Sequence, residues 1–198
     1  MKLVAKKLRS SFARRPSEVK RGLGHLVATR LPRQEGTHRP SLGRLHAGPL
    51  TLTCALGSAG IRRAKFEGDH ATPAGTFRLL AGFFRADKIQ HQPWPLPMRQ
   101  AKKSDGWCDD PRLGAYNRCV SLPCRGSHEK IWRTDHLYDL VIVLDYNIHP
   151  CRKNRGSAIF LHCARPDFAP TEGCVALRPE DLRRLLPRLA KKTVLTIR

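Results

Sequence analysis

Apolar and polar residues along this chain alternate over short stretches and seldom follow a helical period. Leu50-Thr51-Leu52-Thr53-Cys54-Ala55-Leu56 alternates and stops at Gly57, and Thr76-Phe77-Arg78-Leu79-Leu80 follows Pro73 and Gly75. Both read as strands, because a period of two puts one set of side chains on a single face. Tyr138 to Tyr146 is a strong apolar run, Ser157 to Cys163 a second bounded by Gly156 and Pro166, and Gly173 to Leu177 a third. Each predicts a strand. One helix is expected: Pro179 suits a first helical position, Glu180 and Asp181 favour the positive end of the dipole, and Leu182, Leu185, Leu186 and Leu189 recur at helical spacing. Lys192 to Arg198 predicts a closing strand. Residues 84 to 135 are rich in Pro, Gly, Asp and Trp and show little periodicity. A loop of that length inside a compact domain is either functional or conceals elements. The pattern predicts a mostly β fold with one C-terminal helix, long loops and no internal repeat.

At 198 residues the chain is long enough for one domain with a buried core and an appendage. Its longest apolar run, Leu140-Val141-Ile142-Val143-Leu144, is far too short to span a bilayer as a helix. Lys and Arg number 37 against 16 acids, a formal charge of +21. Residues 1–46 hold twelve Lys/Arg and only Glu18 and Glu35 as acids. Residues 1–42 therefore read as a basic, loosely ordered arm and 43–198 as the folded domain. The arm lacks a convincing apolar leader: Gly22 to Thr29 is short and contains His25, although Arg14-Arg15 precedes it. The net charge favours anionic partners, such as nucleic acid, an acidic membrane surface or an anionic wall polymer, without choosing among them.

Seven cysteines, at 54, 108, 119, 124, 151, 163 and 174, form no CxxC pair and no zinc-ligand spacing. Their odd number leaves at least one thiol free or bonded to another chain. Cys119 and Cys124 are close enough in sequence to pair, and most of the rest read as small buried hydrophobes. No metal or other cofactor is expected. Asp105, Asp109 and Asp110 lack the alternating spacing of a calcium loop and read as turn and capping residues.

The chemistry concentrates in two neighbouring strands. His162 ends one, and Thr171-Glu172-Gly173-Cys174 opens the next, twelve residues later. A cysteine is nucleophilic as its thiolate, and an adjacent imidazole and backbone N–H dipoles are the usual means of forming one. Gly173 allows a tight bend and lets a carbonyl approach the N–H groups of Gly173 and Cys174. His162 would take the thiol proton, with the Cys163 carbonyl fixing its tautomer. Taken alone, this pair reads more readily as a buried strand histidine and a structural cysteine.

Thr72-Pro73-Ala74-Gly75-Thr76-Phe77, followed about ninety residues later by the His162 strand and Thr171-Glu172-Gly173-Cys174, resembles the L,D-transpeptidase catalytic domain, the YkuD or ErfK/YbiS family. The resemblance covers roughly residues 43–198, and residues 105–133 look like a divergent proteobacterial branch. It implies a YkuD-like β-sandwich or mixed sheet and covalent catalysis on peptidoglycan. Cys174 would attack the carbonyl before a terminal D-residue of a stem peptide, form a thioester and pass the acyl group to an amine or to water. It also implies a periplasmic or envelope location. Two positions depart from the family pattern. Glu172 replaces the histidine that usually precedes Gly-Cys, and Val175-Ala176-Leu177 supplies no Arg or Asn two residues after the nucleophile. An acid facing the thiol would oppose its ionisation.

Thr171, Glu172, Arg165 and the segment carrying His128, Trp132 and Arg133 are the expected substrate contacts. Arg133 would hold a carboxylate and Trp132 would cover an apolar stem. A structural ion-pair cluster is the other reading of that segment. Glu67-Gly68-Asp69-His70 reads as a turn supporting the Thr72 loop. The functions in competition are a cysteine acyltransferase, a hydrolase of the same fold, and a basic polymer-binding protein supported by charge alone. A monomer is expected.

Overall fold

The computed structural model describes residues 22–32 and 41–198. In chain order the strands are β1 (His25–Arg30), β2 (Leu42–Ala47), β3 (Leu50–Ala55), β4 (Ile61–Arg62), β5 (Thr72–Pro73), β6 (Gly75–Phe84), β7 (Met98–Gln100), β8 (Asp105–Cys108), β9 (Arg118–Ser121), β10 (His128–Lys130), β11 (Leu140–Leu144), β12 (Phe160–Cys163) and β13 (Val175–Leu177). Helix α1 (Pro179–Leu185) with a 3-10 turn at Leu186–Arg188, and β14 (Val194–Ile197), complete the chain.

The main sheet runs β11-β12-β13-β3-β2-β1-β14-β6-β7 and returns on itself, because β6 also pairs with β11. One long strand makes the closure possible: Gly75–Arg78 lie along β14, and Leu79–Phe84 lie along β11. Closure removes two edges that would otherwise expose unpaired backbone groups.

Strands β11 and β12 are buried on both faces, which explains their unbroken apolar runs. Leu140, Ile142 and Leu144 join Leu161 and Cys163 in the main core with Leu182, Leu185, Leu186 and Leu189 of the helical segment. Val141, Val143 and Phe160 turn the other way, into a second cluster with Phe83, Trp107, Tyr138 and Cys174. Each fully buried leucine contributes about 1.5–3 kcal/mol. The alternation within β12 puts Phe160 and His162 on the second face, and this decides where the site can form.

Two expectations change. His25–Arg30, in the stretch expected to be a loose basic arm, form β1, paired antiparallel with β2 and parallel with β14. Leu26 and Ala28 are fully buried there. The alternation that buries them is masked in the sequence by basic neighbours, and its pairing partner lies at the far end of the chain. Residues 1–21 and 33–40, including Arg14-Arg15, fall outside the described residues. The long segment 84–135 also contains elements, β7 and a small sheet ordered β10-β8-β9. Its aspartates hold turns: Asp105 accepts from the Lys102 N–H at 2.7 Å and pairs with Arg99, and Asp110 accepts from the Arg112 N–H at 3.0 Å. All seven cysteines are free thiols, so the bridge considered between Cys119 and Cys124 is not formed. Among the described residues, no helix is long and apolar enough to cross a membrane.

Candidate active site

β12 and β13 are parallel neighbours, with Leu161 opposite Val175 and His162 opposite Ala176. Cys174 stands just before β13. Its thiol and the His162 imidazole line one cavity of about 490 Å³ together with Glu67, Glu129, Tyr138 and Thr171. Cys174 is 6% exposed and His162 5%.

The backbone holds the sulfur. The Phe160 N–H donates to Cys174 Sγ at 3.3 Å, and the thiol donates to the Ala158 carbonyl at 3.2 Å. A thiol that donates to a carbonyl is protonated, and burial pushes it up to about 12. The Phe160 N–H and Lys65 act in the opposite direction, while Glu129 and Glu172 add to the rise. Burial lowers His162 to about 4, although the Cys163 and Leu137 carbonyls favour its charged form. Both groups are therefore neutral at rest at pH 7. His162 Nδ1 lies 2.9 Å from the Cys163 carbonyl oxygen, which can only accept, so Nδ1 carries the proton and Nε2 keeps its lone pair.

Two threonines fix the Cys174 carbonyl. Thr171 Oγ1 donates to Cys174 O at 2.7 Å, and buried Thr72 Oγ1 does so at 3.4 Å while accepting the Gly57 N–H. The Thr72-Pro73 segment thus supports the strand that presents Cys174. Gly173, at φ +129°, leaves no room for a side chain: a Cβ there would stand 2.7 Å from the Ala71 carbonyl oxygen. Its N–H donates to Thr171 Oγ1 at 3.2 Å.

Glu172 pairs with His70 in an exposed contact. Arg165 is exposed on the cavity lining. Arg133 also lines the cavity, but its guanidinium forks onto Asp135 at 2.8–3.2 Å and approaches Glu129 at 3.7 Å. Trp132 and His128 are not among the lining residues. Trp132 lies beneath the Arg85 guanidinium, 3.7 Å from its ring centroid, and His128 Nδ1 engages the Gly126 carbonyl. The Glu67–His70 stretch is a turn, with Asp69 accepting the Phe66 and Ala71 N–H groups.

Three contributors escape the sequence reading. Tyr138 stacks edge-on against His162, with centroids 5.2 Å apart, and its hydroxyl lies 3.4 Å from Glu129 Oε2. Asn117, at φ +57°, accepts from Trp107 Nε1 and from the Ala158 N–H, and it donates to the Tyr146 and Asn147 carbonyls. It pins Ala158, at φ +52°, so that the Ala158 carbonyl meets the thiol. Lys65 is buried beside Gly173. The available signals were weak: a readiness of Asn for left-handed backbone, and a lone lysine before a turn.

A family profile described as YkuD, the L,D-transpeptidase catalytic domain, matches residues 39–197. Among solved structures, the chain is similar to an L,D-transpeptidase from Mycobacterium smegmatis, at 11% identity over 88% of this chain and 58% of that one, with a TM-score of 0.41. It is also similar to L,D-transpeptidase 1 of Mycobacterium tuberculosis, at 10% identity over 87% and 61%, TM-score 0.35. L,D-transpeptidase 3 of that organism gives 12% identity over 87% and 60%, TM-score 0.38. The chain spans about three fifths of the length of these proteins. No curated protein matches the sequence.

Proposed function

Since the chain belongs to the L,D-transpeptidase catalytic domain family, we propose that it is a cysteine acyltransferase acting on peptidoglycan stem peptides in the cell envelope. The observation that carries this reading is the convergence of the Cys174 thiol and the His162 imidazole in one cavity, from neighbouring strands.

With thiol and imidazole both neutral, attack and deprotonation run together. As Sγ bonds to the substrate carbonyl carbon, its proton passes to His162 Nε2. The carbonyl oxygen becomes an anion, and the Cys174 N–H is the donor offered to it, since the Gly173 N–H is engaged by Thr171. Collapse expels the amine of the terminal D-residue, which takes the proton from Nε2 and leaves a thioester. An acceptor amine then attacks, His162 takes its proton and returns it to the departing sulfur. Arg165 is the cation offered to a substrate carboxylate, because Arg133 is already forked onto Asp135.

Hydrolysis is the second reading. Only eleven residues separate His162 from Cys174, so the cavity edge at Pro170–Glu172 is short, and water has the same approach as an amine.

The test is incubation with a carbapenem and, separately, with a tetrapeptide stem, followed by intact-mass analysis. One adduct is expected on the wild-type chain and none on Cys174→Ala. An equal adduct on the variant would overturn the reading. Adding a stem amine then separates acyl transfer from release to water.

A further inference from the structure

We propose that Lys65 is a positioning residue for the nucleophile, its buried ammonium set against Gly173 so as to support the Cys174 thiolate and the anionic oxygen that forms beside it. The inference rests on the acyl-transfer reading for the oxygen; for the thiolate it rests on the buried ammonium's place beside Gly173.

The Lys65 side chain is 3% exposed, and its Nζ lies 2.7 Å from Asp69 Oδ1 and 3.5 Å from the Phe66 carbonyl. Burying an ammonium costs several kcal/mol unless it is well paired. A turn-stabilising role does not account for that burial, because Asp69 already closes the turn through the Phe66 and Ala71 N–H groups. Two glycines make way for the lysine. A Cβ at Gly156 would stand 2.7 Å from Lys65 Cε, and one at Gly173 would stand 3.3 Å from Nζ. The stem therefore threads past Gly156 and delivers its charge to the residue that precedes the nucleophile.

The groups facing Cys174 show why a cation matters there. Glu129 and Glu172 both act against ionisation of the thiol, and Lys65 acts for it. Tyr138 and His162, the other titratable neighbours, are neutral at pH 7. A nearby opposite charge favours the ionised form of its neighbour, more strongly where water is excluded.

The experiment follows alkylation of Cys174 by iodoacetamide between pH 7 and 9, with the modified peptide quantified by mass, in full-length wild type, Lys65→Arg and Lys65→Met. Loss of the charge should slow Lys65→Met about tenfold, one pKa unit, with Lys65→Arg near wild type. A packing role predicts the reverse, since a loosened cavity hydrates the thiol and speeds alkylation. A Lys65→Met rate equal to or above wild type overturns the proposal. If circular dichroism shows that Lys65→Met does not fold, Asp69→Asn is compared with Lys65→Met/Asp69→Asn, which removes the pair as a unit. A tenfold lower rate in the double variant supports the proposal, and equal rates overturn it. Alkylation needs no peptide substrate, so a failure of carbapenem acylation sinks the acyl-transfer reading separately.

Discussion

His162 lies opposite Ala176, two residues beyond Cys174, although imidazole and thiol enter the same cavity. Two residues of strand span roughly 6.6 Å. The offset leaves each group on backbone partners: the sulfur between the Phe160 N–H and the Ala158 carbonyl, and Nδ1 on the Cys163 carbonyl. A resting pair of neutral groups follows, and with it a distinctive pH behaviour.

Burial holds the folded His162 at about 4, below its ordinary 6.5. Between those values the unfolded chain binds more protons than the folded one. Stability from this group is thus fully present above pH 6.5 and is lost as pH falls through the window to 4, by about 3 kcal/mol. Urea unfolding at pH 7.5 and pH 4 should show a smaller fall for His162→Gln than for wild type, by that amount.

Tyr138 covers the imidazole, so its ring rather than its hydroxyl should keep His162 neutral. Tyr138→Ala is expected to admit water and move the His162 titration up towards 6.5, whereas Tyr138→Phe should leave it near 4. Imidazole proton shifts followed by NMR against pH would decide this.

Two acids near the thiol should behave differently. Glu129 is half-buried, with burial raising its pKa and Arg133 opposing the rise, and its charge acts on Cys174 more strongly than that of Glu172. Glu129→Gln should speed alkylation of Cys174 several-fold. Glu172→Gln should change it little, because that carboxylate is 79% exposed and turned to His70. Equal effects would contradict the placement of Glu129.

Asn117→Ala should be the most disruptive of these single changes. It strands the buried Trp107 indole N–H together with the half-buried Ala158 N–H and two half-buried carbonyls. A loss of about 3 kcal/mol or more is expected in denaturant unfolding. Releasing Ala158 also frees the carbonyl that holds the thiol, so alkylation of Cys174 should rise.

Much of this was legible beforehand. Leu50–Ala55, Leu140–Leu144, Phe160–Cys163 and the Pro179 helix follow from period and capping, which act between near neighbours in sequence. His162 and Cys174 became candidates through the resemblance that the Thr72-Pro73 segment helps to carry, and that they enter one cavity is written in the fold. β1 was not, because its partners are β2 and β14, and the second of these begins more than 160 residues later. Trp132 and Arg133 looked like pocket walls, but Trp132 turned to Arg85 and Arg133 to Asp135, choices that adjacent residues alone do not dictate.

By itself the amino-acid order determined which segments become strands, which residue types could form a nucleophile and its base, and that the chain is strongly cationic. Tertiary structure alone decided that both groups rest uncharged, that Glu172 pairs with His70 at the cavity lining, and that Lys65 and Asn117 converge on the thiol's surroundings. The reason is physical: periodicity and capping are short-range and written in neighbouring residues. Desolvation and Coulomb interaction depend on which distant side chains close around a group, and that exists only once the sheet has closed.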